Sequence, residues 1–197
     1  MTRQPRLSKE ERMRQIRHHA KNIFLKKGFE QTTMEDVVKE SEMSKGGVYR
    51  HYSSTTQMLY DLMIDGNDYR QNLNKEYLKN KNKKDKYQLM GEILTDKALA
   101  QTDLMKLYVI FLKVKGHYKE LNDLYFKLVD ISKERFNEVA RELGIEADIF
   151  ADGFLVNYIN GIILSNEILN AKESYEKQRE FLIETFVCYI TKIDQNN

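Results

Sequence analysis

A shortage of residues that interrupt helices sets the first limit on the fold of this chain. Its 197 residues include a single proline, Pro5, and nine glycines. Proline and glycine are the residues that weaken a helix most strongly. Apolar residues recur at intervals of three and four, without the sustained alternation that is typical of strands. These patterns predict an all-α fold of about nine helices.

The composition favours a folded, cytoplasmic protein. Hydrophobic residues make up 41% and charged residues 31% of the chain, which is enough for a packed core. The lone cysteine, Cys188, can form neither an internal disulfide nor a metal cluster, as expected in a reducing compartment. We expect no signal peptide, and no apolar run reaches the roughly 18 residues of a membrane helix.

Positive charge is concentrated near the N-terminus. Residues 1–55 contain 12 Lys and Arg against 7 Asp and Glu, whereas residues 56–197 contain 20 against 23. Three of the four histidines also lie within residues 1–55. A local basic surface is typical of a module that binds phosphates, although a solvated helix face gives the same pattern.

Capping residues divide the first quarter of the chain into three helices. Ser8 is a good N-cap for a helix that ends near Lys27. Thr33 caps a short second helix, and Ser44 caps a third that ends near Tyr52. Two short helices joined by a tight turn after a longer helix predict a helix-turn-helix domain over residues 1–54.

The remaining residues, 55–197, are predicted to form a second helical domain. A long fourth helix opens near Ser53 and Thr55. The polar stretch 79–86 follows it, and a solvated loop is favoured there over a nucleic-acid patch because no aromatic residue is interleaved. The later helices are expected at about 87–100, 103–115, 118–143, 147–170 and 174–193.

The third helix contains two adjacent glycines, Gly46 and Gly47. Each glycine costs about 1 kcal/mol relative to alanine in a helix, so propensity argues against this helix. Close approach of the helix to a large partner would explain the missing side chains. A DNA backbone fits, since free backbone N–H groups and the helix dipole favour phosphate.

Residues 44–52, with the sequence SKGGVYRHY, resemble the recognition helix of TetR (tetracycline repressor) regulators. The resemblance covers roughly residues 8–63 and includes Gly28-Phe29 and Thr32-Thr33 at the family's spacings. It implies a homodimer that binds a palindromic DNA operator through two such helices. The DNA-binding residues that it implies are Thr33, Ser44, Lys45, Gly46, Gly47, Tyr49, Arg50, His51, Tyr52 and Thr55.

Two positions depart from the family pattern, and a third residue, Tyr52, has a competing interpretation. Thr55 stands where the family commonly has a lysine that binds phosphate, and Met34 stands where some relatives have a base-reading polar residue. Lys45, with Arg3 and Arg6 of the N-terminal arm, would then carry more of the binding. Core packing is the stronger alternative for Tyr52.

Small residues at intervals of four in the eighth helix predict close approach of two helix backbones. In the resembled family the last two long helices pair with those of a second copy as a four-helix bundle. Packing within one chain is the alternative. The predicted dimer residues are Gly153, Asn157, Gly161, Ser165, Phe181, Phe186 and Tyr189.

The family pattern also implies a ligand pocket between the middle helices. An apolar or aromatic effector is expected, because the stretch 104–112 is rich in tyrosine and poor in charge. For each candidate, ordinary core packing is the alternative. The candidates are Tyr108, Phe111, Leu112, His117, Tyr118, Tyr125, Phe126 and Tyr158.

The predicted function is a DNA-binding repressor that a small-molecule effector releases. The alternative is a DNA-binding protein of the same fold that a protein partner controls or that acts architecturally. We do not expect an enzyme, because no metal-spaced His and Cys set, phosphate-binding glycine loop or nucleophile with a nearby base is present. No cofactor or metal is expected.

Overall fold

A computed structural model describes residues 7–79 and 85–196. Arg3 and Arg6 of the predicted arm, and the predicted loop residues 80–84, lie outside this range. The described residues form ten α-helices and one 3₁₀ turn, Lys115–His117. The helices are α1 Lys9–Lys27, α2 Met34–Glu40, α3 Lys45–Tyr49, α4 Thr55–Leu78, α5 Lys86–Ala98, α6 Asp103–Val114, α7 Lys119–Glu142, α8 Phe154–Ile168, α9 Lys172–Lys177 and α10 Arg179–Gln195.

The chain divides into two compact units. The first contains residues up to Asp65 together with Lys106–Leu124, and the second contains Gly66–Met105 and the residues from Tyr125 onward. The helices α4, α6 and α7 each contribute residues to both units. This division differs from the predicted boundary at residue 54, because the start of α4 and residues 106–124 pack with the helix-turn-helix.

Local signals set the helix ends of the first unit as predicted. Ser8 accepts from the Glu11 N–H at 3.2 Å, and the Glu11 carboxylate accepts from the Ser8 N–H at 2.7 Å. Gly28 ends α1 with φ +87°, a backbone conformation that glycine adopts without strain. Phe29 then packs edge-on against Phe24, with 5.3 Å between ring centroids.

Arg17 connects α1 to the elements that follow. Its side chain is only 5% exposed. It donates to Asp65 at 2.8 Å, to the Tyr52 hydroxyl at 2.9 Å and to Glu10 at 3.0 Å. The Tyr52 hydroxyl in turn donates to Asp61 at 2.8 Å. One guanidinium therefore joins α1, the residues after α3 and the first half of α4.

In the second unit, α5 and α10 approach each other closely at Gly91. A Cβ atom at that position would lie 2.9 Å from Val187 Cγ2 and 3.1 Å from the Ile183 carbonyl oxygen. Near the other end of the pair, Lys86 of α5 binds Asp194 of α10 at 3.0 Å. The absent side chain of Gly91 and this ion pair align the two helices.

Two predicted helices in the C-terminal region were wrong in extent. The eighth begins at Phe154 rather than near residue 147, because Gly153 adopts φ +74° and serves as its N-cap. Gly153 therefore precedes the helix instead of joining its stripe of small residues. The predicted helix over 174–193 is two helices, since Gln178 leaves helical geometry between α9 and α10.

Within residues 7–79 and 85–196, no helix combines the length and the hydropathy that a bilayer span requires.

We predict that Arg17→Met lowers the free energy of unfolding by about 3 kcal/mol, since removing one partner leaves buried polar groups without hydrogen bonds. Urea unfolding measures this change. Arg14→Met is the control, because Arg14 is an exposed arginine of α1 and its loss should stay within about 0.5 kcal/mol. Equal effects of the two substitutions would contradict the role of Arg17.

Candidate DNA-binding site

The helix α3 presents its glycines and its polar residues on the surface. The Ser44 hydroxyl caps it by accepting from the Gly47 N–H at 3.1 Å. A Cβ at Gly47 would crowd that hydroxyl at 3.1 Å, so the cap itself favours glycine there. A Cβ at Gly46 would meet nothing within 4 Å. The protein interior therefore does not require glycine at position 46, which leaves space for a partner.

Glu35 holds the two polar side chains of α3 together. Its carboxylate accepts from Lys45 Nζ at 3.0 Å and from the Tyr49 hydroxyl at 3.1 Å. Lys45 also lies 5.4 Å from the centroid of the Tyr49 ring. Hydrogen bonding by Lys45 lowers the pKa of Glu35 below its usual value. All three side chains remain exposed, so this arrangement is available to a partner.

A groove of about 430 Å³ lies between the start of α1 and the end of α3. Its lining consists of Leu7, Ser8 and four basic side chains, namely Lys9, Arg12, Arg50 and His51. Both ring nitrogens of His51 are inaccessible to solvent and have no hydrogen-bond partner. Burial and the positive charges of Arg50, Lys9 and Arg12 lower the pKa of His51. The groove thus has the positive charge to receive an anion.

Three further residues of the predicted DNA-binding set have particular environments. Thr33 is exposed, but its hydroxyl donates to Asp36 at 2.7 Å, so it must leave that partner to bind phosphate. Thr55 is partly buried at the first position of α4. Tyr52 has no exposed surface, so it belongs to the core, the alternative favoured from the sequence, and not to the DNA-binding set. Its hydroxyl is bound to Arg17 and Asp61.

The predicted effector residues are divided between the two units. Tyr108 stacks on Phe111 at 6.0 Å between centroids, and Phe111 has no exposed surface. Tyr125 contacts Phe126 edge-on at 5.4 Å. Five of these residues belong to the first unit, namely Tyr108, Phe111, Leu112, His117 and Tyr118, and three to the second, namely Tyr125, Phe126 and Tyr158.

Two of the predicted effector residues contact the loop that follows α1. The Tyr118 ring packs edge-on against Phe29 at 5.5 Å. His117 Nδ1 lies 3.3 Å from the Glu30 carboxylate. These contacts explain why residues 106–124 belong to the same compact unit as the helix-turn-helix.

An aromatic cluster joins α8 to α10. Phe154 stacks on Tyr158 at 5.7 Å and on Tyr189 at 5.0 Å between ring centroids. Tyr158 also meets Phe186 edge-on at 5.5 Å. Phe186 has no exposed surface, so its prediction as a dimer contact is wrong: it belongs to the core of one chain. Tyr158, predicted for the effector, lies here among predicted dimer residues.

The other predicted dimer positions differ in exposure. Asn157 and Gly161 are exposed on α8, and Phe181 is 67% exposed on α10. Ser165 is partly buried. A Cβ at Gly161 would meet nothing within 4 Å.

Sequence reasoning missed Glu35, Lys9 and Arg12 as parts of this surface. Lys9 and Arg12 stand three residues apart on α1, a spacing that places both on one helix face. That spacing could have paired them with each other. Their approach to Arg50 and His51 depends on how α1 packs against α3, which the sequence does not reveal.

Residues 16–62 match the model of the tetR family of bacterial regulatory proteins. Over these residues the chain is similar to the tetR family. The matched range contains all of α2 and α3 and, of the groove residues, Arg50 and His51, whereas Lys9 and Arg12 precede it. TetR-family regulators are DNA-binding proteins and not enzymes.

Two proteins with related sequences are described as HTH-type transcriptional regulators. QacR of Staphylococcus aureus is 26% identical over 168 residues, which cover 82% of this chain and 89% of QacR. The uncharacterized YfiR of Bacillus subtilis is 48% identical over 60 residues. That match spans 30% of this chain and only 29% of YfiR.

Solved structures share the tetR-family fold along nearly the whole chain. Salmonella enterica GusR superposes with a TM-score of 0.66 at 17% identity, covering 93% of this chain and 95% of GusR. The TetR-family regulator PfmR of Thermus thermophilus gives a TM-score of 0.51 at 18% identity, covering 95% and 96%. At these identities the likeness concerns the fold alone.

We predict that the pKa of His51 lies below 6.5 in the free protein and rises in Arg50→Met, which removes one of the nearby positive charges. Titration of the ring by NMR measures it. Arg14→Met removes an equal charge from an exposed part of α1 and should leave the titration unchanged. A His51 pKa at or above 6.5 in the wild type contradicts this description of the groove.

Proposed function

We propose that this regulator is a repressor that binds a palindromic DNA operator as a homodimer and dissociates when a small effector binds. The observation that carries the proposal is the exposed surface of α3. Lys45 and Tyr49 stand there beside Gly46, whose position is open to the outside. A recognition helix needs such an accessible polar face to reach base edges in the major groove.

The groove next to α3 would bind the DNA backbone. Lys9, Arg12 and Arg50 supply positive charge within one concave surface, which His51 also lines. Phosphate contacts of this kind orient a protein on the duplex, while base contacts determine the sequence. The groove would therefore position α3, and Lys45 would read the bases.

Glu35 would allow the same surface to discriminate between DNA sequences. A carboxylate repels phosphates but accepts well from the amino group of cytosine. Because Lys45 and Tyr49 both bind Glu35 in the free protein, DNA must compete for these two donors.

The exposed faces of α8 and α10 support a dimer. Phe154, Ile168 and Phe181 are 48%, 49% and 67% exposed. Phe154 and Ile168 flank Gly161, where the backbone is open to close approach. Exposed apolar side chains around a small residue suit a second copy, since single protomers rarely leave such faces to water.

The effector would act through α4. The first half of this helix carries Asp61 and Asp65, which bind Arg17 and Tyr52 directly behind the recognition helix. A change in the position of α4 would alter the spacing of two recognition helices in the dimer, and with it the affinity for an operator.

We expect Lys45→Ala combined with Tyr49→Phe to abolish sequence-specific DNA binding, because both donors of α3 are lost. An operator is first selected from a random duplex library, in which an inverted repeat should be enriched. Fluorescence anisotropy then measures affinity across a salt series. If Lys45 binds a phosphate instead of a base, its loss reduces the magnitude of the salt slope by about 0.9.

Lys127→Ala serves as the control for the double variant, because Lys127 is an exposed lysine of α7 outside the matched domain. Unchanged operator binding by the double variant, with the dimer intact, would exclude α3 as the recognition helix. Loss of the dimer in that variant would instead point to misfolding, which circular dichroism detects.

Gly161→Arg should convert the dimer to monomers without destabilising the protomer. The new side chain meets nothing within its own chain but would occupy the space of a paired helix. Sedimentation at several concentrations measures the change. Gly116→Arg is the matched control, because a side chain there is equally unobstructed. If the Gly161→Arg protein remains dimeric, the dimer interface lies elsewhere.

A further inference from the structure

The surface around α3 contains a negative charge that contact with phosphates does not need. Glu35 lies in the first turn of α2, beside the polar residues of α3. Its Oε1 atom accepts from Lys45 Nζ at 3.0 Å and from the Tyr49 hydroxyl at 3.1 Å. The Lys45 and Glu35 side chains are 68% and 62% exposed. An exposed donor and an exposed acceptor therefore stand side by side.

The fold itself has little need of the Glu35 carboxylate. Asp36, the next residue, already accepts from the Thr33 N–H at 2.8 Å and completes the capping box of α2. An exposed ion pair such as that of Lys45 and Glu35 adds little to stability. A carboxylate beside a DNA-binding helix also repels the phosphate backbone. Contact with a base would account for a carboxylate at this position.

Lys45 and Glu35 can form more hydrogen bonds without giving up their contact. Lys45 and Tyr49 bind the same carboxylate oxygen, whereas a carboxylate has about four acceptor positions on its two oxygens. The Lys45 ammonium has three N–H donors, and the bond to Glu35 occupies one of them. Hydrogen bonding by Lys45 lowers the pKa of Glu35, so the carboxylate stays ionised at neutral pH. The pair can thus accept from one new group and donate to two.

A G·C base pair offers the complementary pattern in the major groove. Guanine presents N7 and O6 as acceptors, and cytosine presents its N4 amino group as a donor. Because that amino group also donates to O6 within the base pair, N4 and O6 lie about 2.9 Å apart. Lys45 Nζ and the Glu35 carboxylate have nearly the same separation, 3.0 Å. They could therefore contact one base pair together without separating.

An A·T base pair suits the same two groups less well. Its corresponding atoms are adenine N6, a donor, and thymine O4, an acceptor, so Lys45 would have to bind thymine. Thymine presents one acceptor beside a methyl group, whereas guanine presents two acceptors. One N–H of Lys45 would then have no partner on that base. The number of hydrogen bonds favours G·C.

Two neighbouring residues keep the pair in position and accessible. The Tyr49 hydroxyl binds Glu35, and Lys45 Nζ lies 5.4 Å from the centroid of the Tyr49 ring. These contacts restrict the rotation of both charged side chains, which reduces the entropy lost on binding. A Cβ at Gly46 would meet nothing within 4 Å, so the protein leaves open space beside Lys45.

We propose that Glu35 and Lys45 together read one G·C base pair in each operator half-site, Glu35 accepting from cytosine N4 and Lys45 donating to guanine O6 and N7. Glu35 of α2 is then a residue that determines sequence specificity. This inference rests on the proposed function, because it requires α3 to lie in the major groove. It names the base pair that this surface selects.

A modified cytosine tests the contact at a single atom. N4-methylcytosine keeps the base pair and replaces the N–H that faces the major groove. It is placed in turn at each cytosine of the half-site selected by the wild type. At one position it should weaken binding by the wild type about tenfold, the effect of one good base contact. Glu35→Ala should show no weakening at that position.

Glu40→Ala is the matched control, because Glu40 is an exposed carboxylate at the other end of the same helix. It should keep the tenfold effect of the wild type. Fluorescence anisotropy compares each protein on modified and unmodified operator at one salt concentration. The ratio of the two affinities cancels the general gain that follows from removing a negative charge.

A modified guanine tests Lys45 separately. 7-Deazaguanine in the same base pair lacks the N7 acceptor. It should weaken binding by the wild type and by Glu35→Ala alike, because Lys45 is present in both. Wild-type binding that is insensitive to 7-deazaguanine would overturn the assignment of guanine to Lys45.

The remaining outcomes separate this inference from the proposed function. Equal weakening of wild type and Glu35→Ala by N4-methylcytosine would show that another residue reads the amino group, and would overturn the inference. A wild type that tolerates the modification at every cytosine also overturns it, and that measurement needs no variant to fold. If the wild type enriches no inverted repeat, the proposed function fails as well. An enriched operator whose recognition does not depend on Glu35 contradicts this inference alone.

Discussion

The hydrogen-bonded centre around Arg17 is the interaction on which the first unit depends. A single guanidinium binds Glu10, Asp65 and the Tyr52 hydroxyl, which itself binds Asp61. Arginine suits this position because its planar group offers five donors in fixed directions. The short α3 has little intrinsic stability, so its orientation depends on how firmly the residues after it are held. Burial of the Arg17 guanidinium among several hydrogen-bond acceptors fixes those residues in place.

The same centre explains which parts of the fold were predictable. The caps at Ser8, Thr33 and Ser44 act within one helical turn, and all three were predicted correctly. The buried state of Tyr52 depends on Arg17, which lies 35 residues earlier in the chain. A motif that places Tyr52 beside exposed residues cannot reveal this distant partner.

The incorrect sequence predictions near the C-terminus have a similar cause. Apolar spacing predicts helical character over 147–170, but the left-handed conformation of Gly153 delays α8 to Phe154. Phe186 has the spacing of an interface residue, yet Tyr158 packs over it within the same chain. Periodicity identifies an apolar face, whereas its partner depends on tertiary packing.

The position of Glu35 has a consequence for how such a protein would search a genome. Its carboxylate already satisfies Lys45 and Tyr49, so contact with an arbitrary stretch of DNA exchanges one set of hydrogen bonds for another. Such an exchange releases little free energy, and encounters with unrelated sequences would be brief. Only a site that also satisfies the carboxylate would retain the protein. A residue that opposes binding can therefore shorten the time needed to reach the correct site.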